Sequence, residues 1–87
     1  MTIKQIIERN YKATVKRGLI SESTGFKDFI NKLREEVTEL EAEMWTENMP
    51  FEMADIALVI LAMAEHYDID LIDFMAKKTA INEKRKD

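Results

Sequence analysis

Two acidic pairs at helical spacing are the residues most able to do chemistry: Glu36 and Glu39 in LREEVTELEA, and Glu52 and Asp55 in PFEMADIA. Residues three apart share one side of a helix, so each pair sets two carboxylates side by side. Glu36 and Glu39, with Glu43 a turn further on, flank an apolar stripe of Phe26, Phe29, Ile30, Leu33, Val37, Leu40 and Met44, whereas Glu35 falls on the solvent side. Grouped carboxylates repel one another and are expensive to desolvate unless cations compensate. Two readings fit. Either both pairs are solvated, with Glu52 and Asp55 favouring a helix N-terminus through its dipole, or the four carboxylates surround a small cavity. The second arrangement is the all-oxygen shell that Mg²⁺, or alternatively Mn²⁺, prefers, with coordination positions left for substrate phosphates. A di-iron centre needs a Glu-x-x-His motif from each of two helices, and the chain has one histidine, His66.

A second constellation lies near the C-terminus. Leu71, Met75, Lys78, Asn82 and Arg85 are spaced four, three, four and three, so one helical stripe begins apolar and turns basic. Its cations either decorate a helix end or contact phosphate oxygens, with Asn82 a neutral donor between Lys78 and Arg85. Lys32, one turn before Glu36, can touch a phosphate or form an ordinary i, i+4 ion pair. Trp45 can stack on a nucleobase or close its helix as a core or interface residue.

The elements that position these residues follow from composition and punctuation. A chain of 87 residues is one domain, residues 1–87, and its two glycines and one proline leave few turn formers, which points to an all-α fold. Folded, a chain of this mass exposes roughly 5,300 Å² of the roughly 14,800 Å² it exposes unfolded, a marginal core. Four helices are expected: about Thr2 to Arg17, opened by Thr2 and Gln5 at capping-box spacing and closed at Gly18; Gly25 to Trp45; a third from the N-cap candidate Asn48 to His66; and Asp70 to Arg85. Short loops make the last three antiparallel neighbours in a helical bundle. The third helix is apolar on every side, so oligomerisation, as a homodimer or homotetramer, is expected to complete the bundle.

The same composition narrows the function. Without cysteine there is no disulfide, thiolate nucleophile or Cys-type zinc site. Lys4, Glu8 and Arg9 interrupt any signal-peptide core, and the longest apolar run, Ile56 to Ala64, is nine residues, so a cytoplasmic protein with no membrane partner is expected. A net charge of −4 disfavours nucleic acid as a partner.

Taken together, these residues resemble the MazG-like all-α nucleoside triphosphate pyrophosphohydrolases. That family's signature, E-E-x-x-E followed by E-x-x-D, is matched by Glu35, Glu36, Glu39, Glu52 and Asp55 across a spacer of twelve residues, at the short end for the family. Its C-terminal K-x-x-x-N-x-x-R is matched by Lys78, Asn82 and Arg85, and the similarity runs from about Phe26 to Arg85. The resemblance implies that Glu36, Glu39, Glu52 and Asp55 are the Mg²⁺ ligands and the catalytic residues, and that the basic residues hold the phosphates. Implied too is hydrolysis of a nucleoside or deoxynucleoside triphosphate to the monophosphate and pyrophosphate, with water as the nucleophile. Two other functions stay open: a non-catalytic helical interaction or regulatory subunit, and a sister pyrophosphohydrolase acting on phosphoribosyl-ATP.

Overall fold

The computed structural model describes residues 1–86, and its regular structure is four α-helices: α1 (Ile3–Lys16), α2 (Phe26–Ala42), α3 (Met49–His66) and α4 (Leu71–Lys84). No strand occurs among the described residues, and no helix there is long and apolar enough to cross a membrane. Local chemistry sets the helix ends. The Thr2 hydroxyl accepts from the Gln5 amide at 3.1 Å while Gln5 Oε1 accepts from the Thr2 amide at 2.8 Å, a reciprocal cap that satisfies two otherwise orphaned donors. Asp70 caps α4 by accepting from the Asp73 amide. Asn48 stands at the N-cap of α3 but makes no side-chain cap, and Pro50 supplies the preset backbone of the first turn.

Two helices close by the same device. After α1 the Leu19 amide donates to the Thr14 carbonyl and the Gly18 amide to Val15, with Gly18 left-handed at φ 77°. After α3 the Ile69 amide donates to Ala64 and the Asp68 amide to Glu65, with Asp68 at φ 55°. Both are Schellman closures, in which a left-handed residue turns the chain back over the last carbonyls.

α3 is the axis, packed against α2 on one side and α1 on another. Their shared core is small: Ile20, Phe29 and Ala62 are buried, with Tyr11 and Met63 packed against them. His66 ties three segments together, its Nδ1 2.9 Å from the Tyr11 hydroxyl and its Nε2 2.9 Å from the Thr24 carbonyl. A carbonyl only accepts, so Nε2 carries the proton and Nδ1 accepts from Tyr11. The Phe29 ring lies 5.2 Å from the imidazole, centroid to centroid.

The all-α class and the four helices of a bundle agree with the sequence, and two details differ. α2 stops at Ala42 rather than Trp45, because Thr46 Oγ1 sits 2.7 Å from both the Glu43 carbonyl and Glu43 Oε2 and draws the chain into a turn, with Trp45 left-handed at φ 67°. Nor is α4 laid along α3 as an antiparallel neighbour within the chain. Leu71 and Ile72 are half-buried at its root, and every residue from Asp73 to Lys86 is exposed.

Phe29 joins the α2 stripe to the His66 network, so its truncation removes the largest buried side chain of this core. We expect Phe29→Ala to cost about 3–5 kcal/mol. The measurement is urea unfolding followed by circular dichroism, and a loss below about 1 kcal/mol contradicts the central place given to this ring.

Candidate metal centre

Glu36 and Glu39 project from the C-terminal half of α2, and Glu52 from the first turn of α3. α2 and α3 pack side by side, and the packing brings one carboxylate oxygen from each glutamate within 4.8 Å of the others. Oxygens bound to one divalent cation at about 2.0–2.6 Å stand at most roughly 5 Å apart. The three glutamates therefore have the spacing to share an ion, an arrangement built from both sequence motifs.

Burial sharpens the case. Glu36 is only 6 % exposed, and Glu52 is half-buried. Lys32 Nζ lies 3.1 Å from Glu36 Oε1 and 3.6 Å from Glu35, so one cation offsets part of the charge. The hydrogen bond from Lys32 to Glu36, reinforced by the neighbouring carboxylates, raises the lysine pKa despite partial desolvation. The other oxygens are not provided for: Glu36 Oε2 and Glu52 Oε2 are both buried without a hydrogen-bond partner. A buried unpaired acceptor costs about 1–3 kcal/mol, and more when charged. Two of them, on different helices and in one cluster, fit a cation that accepts lone pairs from both.

Glu39 carries the electrostatic consequence. Its pKa is raised, first by its hydrogen bond to the Glu36 carboxylate, then by the Glu36 charge, by lost hydration and by Glu52, with Lys32 pulling the other way. Of the four expected ligands the structure brings together these three. Asp55, one turn beyond Glu52, is exposed and lies outside the cluster. It does line the adjoining cavity of about 540 Å³, together with Lys32, Glu35 and Glu36.

The far wall of that cavity comes from α1 and the loop after it, through Asn10, Thr14, Arg17 and Thr24. Sequence reasoning passed over these residues. Their signal was a stripe of Ile3, Ile7, Asn10, Thr14 and Arg17 at spacings of four and three, apolar at first and polar from Asn10 onward. Asn10 is anchored by donating its amide to the Leu58 carbonyl at 3.3 Å. Lys78, Asn82 and Arg85 sit on or at the end of exposed α4 and do not line the cavity. Trp45 is 83 % exposed at its left-handed turn and does not line it either. Glu43 is occupied at the same turn, accepting from Thr46 and from Asn48 Nδ2.

No protein-family model matches the chain, nor does any curated protein or solved structure.

The repulsion predicts a pH signature. A carboxyl group whose folded pKa exceeds its unfolded one supports the fold only while protonated. Starting from the ordinary 4.5, the Glu39 contribution is whole below that value and is lost as pH rises through the raised folded pKa. With chelator present, the melting temperature of the parent should therefore fall relative to that of Glu39→Gln as pH rises from 4.5. Parallel melting curves for the two proteins across this range would remove the proposed repulsion.

Proposed function

We propose that the chain hydrolyses a nucleoside or deoxynucleoside triphosphate to the monophosphate and pyrophosphate with the aid of a divalent cation, Mg²⁺ or Mn²⁺. The observation that carries the proposal is the pair of buried, unpaired carboxylate oxygens on Glu36 and Glu52, converging with Glu39 from two helices. A donor set made only of carboxylate oxygens suits a hard cation over a soft one. Such an ion, when bound, supplies charge neutralisation for phosphate oxygens and acidifies a coordinated water.

The chain's own residues account for the rest. Lys32 holds Glu36 in place through its 3.1 Å contact and keeps a half-exposed ammonium at the rim of the cavity, where a phosphate oxygen can compete for it. Asp55 lines the cavity on the α3 side, outside the three-glutamate cluster, and in this reading orients water there. The cavity itself, about 540 Å³ with apolar walls from Leu58, Val59 and Ala62 and polar groups from α1, is of a size that takes a small organic ligand. In this reaction the water oxygen forms a bond to the α-phosphorus as the bond from that phosphorus to the α–β bridging oxygen breaks; the bridging oxygen leaves as part of pyrophosphate, the α-phosphoryl group stays with the monophosphate, and the water's proton is released. Phosphoribosyl-ATP, with the same anhydride to cleave, is a substrate to be tested beside the common triphosphates. The exposed apolar surface favours a second reading, a non-catalytic interaction protein, whose stability should not depend on metal.

Two measurements decide between these readings. Mg²⁺ or Mn²⁺ at about a hundred times its dissociation constant should stabilise the parent by roughly 2.7 kcal/mol, and chelator should reverse the gain. In Glu39→Ala that gain and pyrophosphate release should both be nearly abolished while the helical circular dichroism is retained. Melting indifferent to metal, or equal turnover by variant and parent, rejects the metal centre.

A further inference from the structure

The half-buried part of the α1 wall offers a ligand acceptors and no donors. Asn10 and Thr14 both line the cavity and are four apart, so they share one side of α1. Asn10 lies 3.3 Å from the Leu58 carbonyl, and a carbonyl only accepts, so the Nδ2 end of its carboxamide faces α3. The other end is thereby fixed. Asn10 Oδ1 has no partner among the described residues and is not closed off from solvent, so it is left to accept from whatever enters the cavity. Thr14 is committed in the same sense: its hydroxyl donates to the Asn10 carbonyl at 2.8 Å, which leaves Oγ1 with lone pairs alone.

These two acceptors are held, whereas other polar groups of the cavity are not. Arg17, Asn31 and Lys32 are exposed and can turn to suit a ligand, so they discriminate less than groups already fixed in place. Leu58, to which Asn10 is bonded, continues with Val59 and Ala62 as an apolar lining suited to the face of a flat ring. An exocyclic amino group on such a ring answers the arrangement. Its two N–H bonds diverge by about 120°, so it can donate to two acceptors roughly 5 Å apart, the scale of neighbours one helical turn apart. A ring carbonyl in the same place would set oxygen against oxygen and leave every acceptor unpaired.

We propose that Asn10 and Thr14 read the nucleobase, selecting one that carries an exocyclic amino group, cytosine or adenine, over its deaminated counterpart, uracil or hypoxanthine. This assignment rests on the hydrolysis proposed above and adds which triphosphates undergo it. Glu36 opens on the same cavity, so the phosphates of such a ligand lie toward the acidic cluster and its base toward α1.

Matched pairs test this, because CTP differs from UTP, and ATP from ITP, by an amino group replaced with a carbonyl. The parent should favour the amino member of at least one pair by about tenfold or more in kcat/KM, and the deaminated member of neither. Thr14→Val removes the acceptor and keeps the shape, and should shrink that preference to within about threefold, whereas Thr14→Ser keeps the oxygen and should retain it. Asn10→Ala should shrink it likewise. A merely structural role would lower all four rates together, so unchanged ratios in both Thr14→Val and Asn10→Ala overturn the assignment. Cytidine and uridine supply an arm that needs neither metal nor turnover. With chelator present, cytidine should shift the carboxamide NMR signals of Asn10, identified by their loss in Asn10→Ala, and uridine should not. Should no triphosphate release pyrophosphate, the hydrolysis is rejected and this arm decides the base reading: shifts alike from both nucleosides, or from neither, overturn it. Release at equal rates within both pairs, or faster from UTP or ITP, overturns the base reading and leaves the hydrolysis standing.

Discussion

Repulsion among three carboxylates held within 4.8 Å of one another is the constraint to which the rest of the molecule answers. Left in water these groups would separate, because no covalent link fixes the distance between α2 and α3 at that point. They are held instead by the packing of the two helices, and Glu36 is drawn out of water as α2 lies down on α3. Among the described residues Lys32 is the one cation in an ion pair with the cluster, and it reaches only one oxygen of Glu36. Packing energy from the α2–α3 contact is therefore stored as electrostatic strain in the cluster. A divalent cation bound as proposed would release that strain, so metal affinity and folding stability should move together.

The opposite end of α3 supplies the rigidity. His66 stands fourteen residues beyond Glu52, about 21 Å along the helix, and its two ring nitrogens bridge α1 through Tyr11 and the loop before α2 through Thr24. With Phe29 against the ring, α1, α2 and α3 are fixed at one end by a satisfied polar network inside an apolar collar. At the other end the helices converge on unsatisfied acids. α3 is thus divided along its length, its C-terminal end carrying the cohesive network and its N-terminal end the acidic cluster.

Much of this was legible in the sequence, for reasons that can be located. Thr2, Gln5, Gly18 and Asp70 act through local backbone geometry, which the chain specifies within three or four residues. Helical phase placed Glu36 at the packed flank and Glu35 toward solvent, and Glu36 is the buried one. The end of α2 was harder to read, because periodicity carries on through Met44 while the Thr46 hydroxyl competes for the Glu43 carbonyl. The α1 wall of the cavity was missed because Asn10 and Thr14 interrupt an apolar stripe and read as weak amphipathicity instead of as lining. For α4 the stripe was visible, but spacing gives a face without saying which surface that face meets.

That last ambiguity is a property of small helical proteins in general. Among the described residues only Ile20, Phe29, Ala62 and Ala64 of the apolar ones are buried, few to set against the chain entropy of a domain this size. A helix such as α3, apolar on every side, cannot be covered by two amphipathic neighbours, since each neighbour offers one stripe and the helix presents a full circumference. Any surface that covered what remains bare on α3 and α4 would also exclude water from the carboxylates beside it. Drier surroundings strengthen each charge pair in the site and make the acids harder to hold together without a cation. Burial of the apolar face and demand for counter-charge would thus rise together, so a covering surface of apolar residues alone would aggravate a problem that one carrying basic groups would ease.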